Sequence, residues 1–324
     1  MEIFDHEQFD LSGDIVYNKT MKPTLINLKS LPYGGAQYVI DPNMEQRVQQ
    51  FMIESTNDRC LWDTDIQDEF LNSYVGWIGS TQQNTIRGLD QFTTKAYSNG
   101  TTEAFDKFYL KNLHRRLRYF RGEYMYHQVS ARQYWSGGAV FLEDAELDQN
   151  DCVIISLPFA DTGNPHTDMN RVLDQCDRLQ IPVLLDMAYL GICSGITFDL
   201  THPCITDVTF SLSKTFPVPH LRIGMRLTRY DDDDSLLVVN KTSYTNRLGI
   251  AVGLKLINSL SVDHVYQTYQ AQQQQFCRTL DVEPSQCVIF GVDRKDQFGI
   301  YNRGGPTNRL CFSKYLDAGV LPKP

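Results

Sequence analysis

Lys214 closes the run Ser211-Leu212-Ser213-Lys214, directly after the apolar stretch Asp207-Val208-Thr209-Phe210, which places its amine beside a buried strand. Burial lowers a lysine pKa and leaves a neutral, nucleophilic amine. Arg222 follows eight residues later, two before Gly224, and its planar donor fork suits a phosphate. Asp186 ends the apolar run from Ile181, and Met187-Ala188-Tyr189 come next. A carboxylate at the end of a buried strand is costly unless it is paired or hydrogen-bonded. It can hold a proton on a heteroaromatic nitrogen, with Tyr189 donating to a phenolate oxygen nearby, or it can cap the next segment. Asn99-Gly100-Thr101-Thr102 enters a helical pattern. Glycine allows close approach of a ligand, and the free N–H groups of a helix start favour a phosphate. A plain capped helix start is the competing reading.

The elements that must position these groups read as strand, helix, strand from residue 95 to 225. After the turn at 98–102, Ala104, Phe105, Phe108, Tyr109, Leu113 and Leu117 share one helical side. Arg118 to His127, rich in aromatics, reads as a strand. Cys152 to Leu157 is a continuous apolar strand of the kind buried parallel sheets require. Met169, Val172, Leu173, Cys176 and Leu179 recur at helical spacing before the strand 181–186, and 207–213 is a further strand. This alternation predicts an α/β fold, a mostly parallel sheet with helices on both faces. Ligands bind such sheets at the carboxyl ends of the strands, where the polar residues cluster here.

The flanks are plainer. The first 95 residues are irregular, with turns at Pro32-Tyr33-Gly34-Gly35 and Asp41-Pro42-Asn43 and helices starting near Asn43 and Thr64. Beyond Arg226, the acidic run Asp231–Asp234 reads as a solvated turn. Residues 244–278 read as one or two long helices with Gln272–Gln275 exposed. Val288-Ile289-Phe290 and Arg309-Leu310-Cys311-Phe312 are short strand candidates. The texture changes between 226 and 240. We therefore expect an N-terminal segment plus large α/β domain over 1–230 and a small α+β domain over 231–324.

Composition closes off several classes. With 39 acidic against 30 basic side chains the 324-residue chain carries a net charge of −9, which opposes phosphate-backbone binding, so no nucleic-acid partner is expected. No run approaches the roughly 18 apolar residues a membrane span needs, and the acidic start Met1–Glu7 lacks a signal peptide's pattern. The eight cysteines are dispersed without a C-x-x-C pair or a close Cys/His cluster, so reduced thiols, a cytoplasmic location and no structural zinc site are expected.

Together these segments resemble the fold-type-I pyridoxal-phosphate (PLP) enzymes, the aspartate-aminotransferase-like superfamily. Ser211, Ser213, Lys214, Arg222 and Gly224 meet that family's S-x-S-K…R-x-G signature. Asp186, Ala188 and Tyr189 meet its D-x-A-Y element, and Asn99, Gly100 and Thr101 its glycine-led phosphate turn. The match runs from about 95 to 226 and more weakly to 313. The resemblance implies that Lys214 carries PLP as an internal aldimine and moves the proton at the substrate α-carbon. It implies that Asp186 pairs with the pyridinium nitrogen and that Tyr189 bonds the ring's O3′. Asn99, Gly100, Thr101, Ser211, Ser213 and Arg222 hold the phosphate. Within Gly122-Glu123-Tyr124, Tyr124 would stack on the ring, a core aromatic being the other reading. Arg309, in Asn308-Arg309-Leu310, would clamp the substrate carboxylate. A homodimer with active sites at the interface also follows.

The sequence departs from the family in three places. Ala160 stands where an asparagine commonly contacts O3′, His220 replaces a glycine, and only 11 residues follow Ser313, so the usual last helix is short or missing. An aminotransferase acting on an amino acid and a 2-oxo acid is the leading expectation. The alternatives are a PLP lyase or decarboxylase, or a PLP-binding protein with lost catalysis.

Overall fold

The computed structural model describes residues 15–16, 24–25, 31–57, 59–63, 65–231 and 234–322. Two short ladders stand apart from the main sheet: β1 (Ile15–Val16) with β2 (Thr24–Leu25), and β3 (Thr85–Arg87) with β9 (Thr197–Asp199). The main sheet has the spatial order β4 (Thr94–Asn99), β11 (Ile223–Thr228), β10 (Ile205–Ser211), β8 (Val183–Asp186), β7 (Asp151–Ser156), β5 (Arg116–Tyr119) and β6 (Val140–Phe141). Pairing from β10 to β6 is parallel throughout. Only β11 runs against its two neighbours. This is the mostly parallel sheet the alternation implied.

Every residue of β7, β8 and β10 is buried, which explains their unbroken apolar character. Side chains alternate between two helical layers. Val153, Ile155, Val183, Leu185, Val208 and Phe210 meet α2 (Ile66–Gly79), α5 (Met169–Leu179) and α7 (Arg247–Ser259) in the larger core. Cys152, Ile154 and Leu184 pack on the other side with Phe105, Phe108 and Tyr109 of α3 (Thr101–Lys111). Arg118 is fully buried in β5 because its fork is saturated. It bonds the Asp151 carboxylate at 2.7 Å and the carbonyls of Val140, Phe141, Ala145 and Glu146, tying three strands together.

Helix α1 (Pro42–Asn57) packs on α7, and α6 (Ser235–Lys241) on β4. α8 (His264–Leu280) leads to a second, antiparallel sheet of β12 (Glu283–Pro284), β13 (Phe290–Asp293) and β14 (Asn308–Cys311). Among the described residues no single helix is long and apolar enough to cross a membrane. α7 and α8 meet that test only as a pair, bent by 70°.

Several expectations need correction. Arg118 to His127 is not one strand. β5 stops at Tyr119, the chain turns at Gly122 with φ +86°, and α4 (Met125–Tyr134) follows, burying His127, Ser130 and Ala131 on one helical side. The helix expected near Thr64 begins at Ile66, Thr64 itself lying outside the described residues. Gln273 is buried rather than exposed, because its amide donates to the carbonyls of Ser285, Cys287 and Phe290. Within the acidic run Asp234 is no free turn residue. It caps α6 at the Leu237 N–H and bonds Arg226 at 2.5 Å, while Asp232 and Asp233 lie outside the described residues. After Cys311 the described chain forms turns, without a helix.

Candidate active site

The parallel strands all point their carboxyl ends at one edge, and the antiparallel β11 begins there. Register fixes what meets: Ser156 faces Asp186 across β7–β8, Ser211 faces Gly224, and Ile223 faces Asn99. Gly100 caps α3 with φ +76°, a left-handed region that only glycine enters without strain. A Cβ added to it would overlap Arg222 Nη2, so the guanidinium lies directly on the glycine. Arg222 itself has φ +53° and donates to Asn99 O at 3.0 Å and to Thr102 Oγ1 at 3.2 Å. Ser211 Oγ donates to Ser213 Oγ at 3.0 Å and accepts from the Ser213 N–H. Guanidinium, hydroxyls and the first N–H groups of α3 thus lie around one corner with the donors an anion would need. The Asn99 side chain turns away from this corner. Its amide and its backbone N–H both donate to Glu103 Oε2, at 3.1 and 2.6 Å.

Asp186 lies at the tip of β8, 6% exposed, with its Oδ1 accepting from the Ala188 N–H at 3.0 Å. Burial, and then the negative charge of Glu123, push its carboxyl up to about 7, against the pull of Ala188 N–H and Lys214. Glu123 is buried as well, and burial raises its pKa. It is anchored by Ser156 N at 2.7 Å, Ser156 Oγ at 2.5 Å and Tyr124 N at 3.1 Å. Lys214 Nζ reaches across to the Ala36 carbonyl at 2.5 Å, so the irregular N-terminal segment roofs this lysine.

On the side of the second sheet, Arg309 is 5% exposed, donates to the Ala160 carbonyl and lies 4.4 Å over the Phe290 ring. Tyr189 meets the same ring edge-on at 5.5 Å. Burial raises the Tyr189 pKa, while the charges of Arg309 and Arg303 work against that rise. Two further groups, absent from the sequence-based set, complete this wall. Asp161, 1% exposed, has Oδ1 3.8 Å from Arg303 Nε. Burial lifts its carboxyl to about 6, opposed by the charges of Arg303 and Arg309. No spacing rule singles out Asp161 or Arg303, because both lie outside the helices and strands. The only signal was that Asp161 follows the anomalous Ala160.

Gly100, Thr101, Ser211, Ser213 and Arg222 are thereby brought to one corner, and Asp186, Lys214, Tyr189 and Arg309 to the adjoining wall. Tyr124 is set differently. It stands at the N-terminal cap of α4, 40% exposed, with its ring stacked on Tyr126 at 6.1 Å and edge-on to His127 at 6.0 Å. His220 is exposed, in a short 3₁₀ turn at Pro219–Leu221.

No protein-family model and no curated protein matches the sequence. Solved structures do match its shape. A tyrosine aminotransferase from Leishmania infantum superposes with a TM-score of 0.65 at 13% identity, over 90% of this chain and 94% of that one. The chain has the fold-type-I PLP-dependent transferase fold. An aromatic aminotransferase from Pyrococcus horikoshii OT3 shares this fold (TM-score 0.64, 12% identity, 89% and 91% covered). So does an L-threonine-O-3-phosphate decarboxylase from Porphyromonas gingivalis (TM-score 0.60, 14% identity, 85% and 93% covered).

Proposed function

We propose that this chain is a PLP-dependent aminotransferase that moves an amino group between an amino acid and a 2-oxo acid. The observation that carries the reading is the shared sheet edge. A lysine amine, a buried carboxylate and a glycine–arginine anion corner converge there from β10, β8 and the β4–α3 turn. The residues fit the cofactor in chemistry as well as in place. A glycine without room for a Cβ under Arg222 suits close approach of a phosphate. Burial pushes the Asp186 carboxyl up to about 7, and a protonated ring nitrogen beside it would supply the positive charge that draws it back to the carboxylate.

PLP, when bound, supplies an electron sink for the substrate α-carbon. The chain's own groups supply the rest. Gly100, Thr101, Ser211, Ser213 and Arg222 bind the phosphate. Asp186 holds the proton on the ring nitrogen, and Tyr189 donates to the ring's oxygen. Lys214 would take and return the proton at the α-carbon. Arg309 orients the substrate through its carboxylate. Asn99 would serve the phosphate site indirectly, its carbonyl holding Arg222 in place, and Tyr124, at the start of α4, would have to leave its stack on Tyr126 to cover the ring.

The second reading is a PLP lyase or decarboxylase, favoured by the placement of Asp161 against the two arginines, which weakens an anchor for the α-carboxylate. A second copy of the chain is the expected partner. Trp62 and Tyr244, 86% and 84% exposed, are large apolar groups that a homodimer would cover. The reduced, buried cysteines suit a cytoplasmic location. A single-turnover screen tests the main reading: the PLP-loaded chain is mixed with each amino acid, and release of a 2-oxo acid without free ammonia is the aminotransferase result, free ammonia alongside it marking a lyase. Release of carbon dioxide without a 2-oxo acid would favour the second reading, and no product from any amino acid would sink both.

A further inference from the structure

At the opposite end of the sheet from the candidate site, three different ligand types meet. Asp177 lies in the last turn of α5, and His202 and Cys204 precede β10, separated by Pro203. One ligand atom from each lies within 4.8 Å of the other two. Asp177 is already oriented. Its Oδ1 accepts from the Cys204 N–H at 2.7 Å, which leaves Oδ2 aimed at His202 Nδ1, 2.6 Å away. The Cys204 thiol is buried and donates to the Leu173 carbonyl. Asp177 and His202 are a quarter and a fifth exposed, so the cluster has a path to solvent. Asp177 and Cys204 also line a cavity of about 640 Å³, together with Lys111, His114, Pro182 and Tyr230.

We propose that Asp177, His202 and Cys204 form a binding site for a zinc-class divalent ion, with a fourth coordination position open to this cavity. One carboxylate, one imidazole and one thiolate are the donors zinc takes, and three protein ligands with an open position are a recurrent arrangement. The geometry requires small movements. Metal–ligand distances of about 2.0–2.3 Å put tetrahedral donor atoms about 3.4 Å apart. The Asp177–His202 contact must therefore open by under about 1 Å, and the sulfur must close by at most about 1.4 Å. Binding releases the thiol proton of Cys204 to solvent. The imidazole proton moves to Nε2, so Nδ1 gives its lone pair to the ion. The Cys204 N–H keeps Asp177 Oδ1, the kind of outer contact that orients a ligating carboxylate. The ion would tie α5 to the start of β10. Spacing alone missed this cluster: His202-Pro203-Cys204 is only a pair, and Asp177 comes from another element.

Chelator-treated full-length protein is titrated with Zn²⁺ against a competing dye, and with Co²⁺ as a spectroscopic probe. The expected result is one equivalent per chain, with Co²⁺ giving the visible d–d bands of a thiolate-bound tetrahedral ion. Cys204→Ser and His202→Gln should each weaken Zn²⁺ binding at least tenfold, and Cys176→Ala, a buried thiol outside the cluster, should not. The partly exposed His202 tests the site even if the Cys204 variant folds poorly. Zn²⁺ should also raise the thermal midpoint of the wild type but not of the His202 variant. Absence of stoichiometric binding by the wild type, or unchanged affinity in the His202 variant, overturns the proposal.

Discussion

Gly100 lies beneath the Arg222 guanidinium so closely that a Cβ on it would overlap Nη2. Neither partner can move freely, since Arg222 is held by Asn99 O and Thr102 Oγ1 and Gly100 sits at φ +76°. Gly100→Ala therefore has to displace the arginine and also adopt a positive-φ, extended-ψ backbone (φ +76°, ψ −179°) that costs about 1–3 kcal/mol. We expect a folded chain whose PLP affinity falls at least tenfold, measured by equilibrium dialysis. Unchanged affinity would mean that phosphate does not bind in this corner.

Lys214 is the only candidate for covalent attachment that the sheet edge presents beside Asp186 among the described residues. Borohydride treatment of the PLP-loaded protein should fix a pyridoxyl group on Lys214, identified by peptide mapping, and Lys214→Ala should abolish labelling. A label on another lysine defeats the assignment. Lys214 Nζ bonds the Ala36 carbonyl, so covalent labelling of Lys214 should also alter protease sensitivity around residue 36.

Asp186 gives a pH signature without any turnover. Its carboxyl titrates near 7 in the folded chain and near 3.9 when unfolded. Between those values the native state binds the extra proton, so this residue's contribution to stability falls as pH rises from about 4 to about 7. The full loss amounts to about 4 kcal/mol. Asp186→Asn removes the titration, so the stability difference between variant and wild type, from denaturant curves, should grow across that window. A flat difference would show that the carboxyl is not held protonated. The same variant, loaded with PLP, should retain cofactor and lose most turnover, because an amide cannot balance a pyridinium charge.

Much of this site was legible in the chain because it depends on strand ends. Buried strands such as 152–157 and 181–186 announce themselves by unbroken apolar runs, and polar residues that follow such runs, Asp186 and Lys214, fall at the ligand edge. What stayed hidden depends on turns and on pairs distant in sequence. Arg118–His127 reads as a strand by composition, yet the positive φ at Gly122 ends it and the side chains regroup as a helix. Glu123 meets Ser156 across 33 residues, and Gln273 is buried only because three carbonyls of the β12–β13 segment converge on it. Periodicity carries no information about either. Asn99 shows the opposite case: the motif is present, but its side chain bonds Glu103 rather than facing the anion corner.

Asp161 and Arg303 make the last prediction one of opposite signs. Arg309 binds the Ala160 carbonyl, and Asp161 contributes a negative charge to the same wall. If Arg309 clamps a substrate carboxylate, Arg309→Ala loses hydrogen bonds worth about 1.5–3 kcal/mol each. The amino-acid KM should then rise at least tenfold with PLP affinity unchanged, and Arg309→Lys should rescue poorly, because an ammonium lacks the planar fork. Asp161→Asn removes the charge that competes with substrate, so KM for carboxylate substrates should fall. The same change removes one of the negative charges facing the buried Arg303, Glu123 being another, and should lower the thermal midpoint. A merely structural Asp161 would lower stability without improving KM, and a KM that rises in Asp161→Asn would place this carboxylate among the groups that hold substrate.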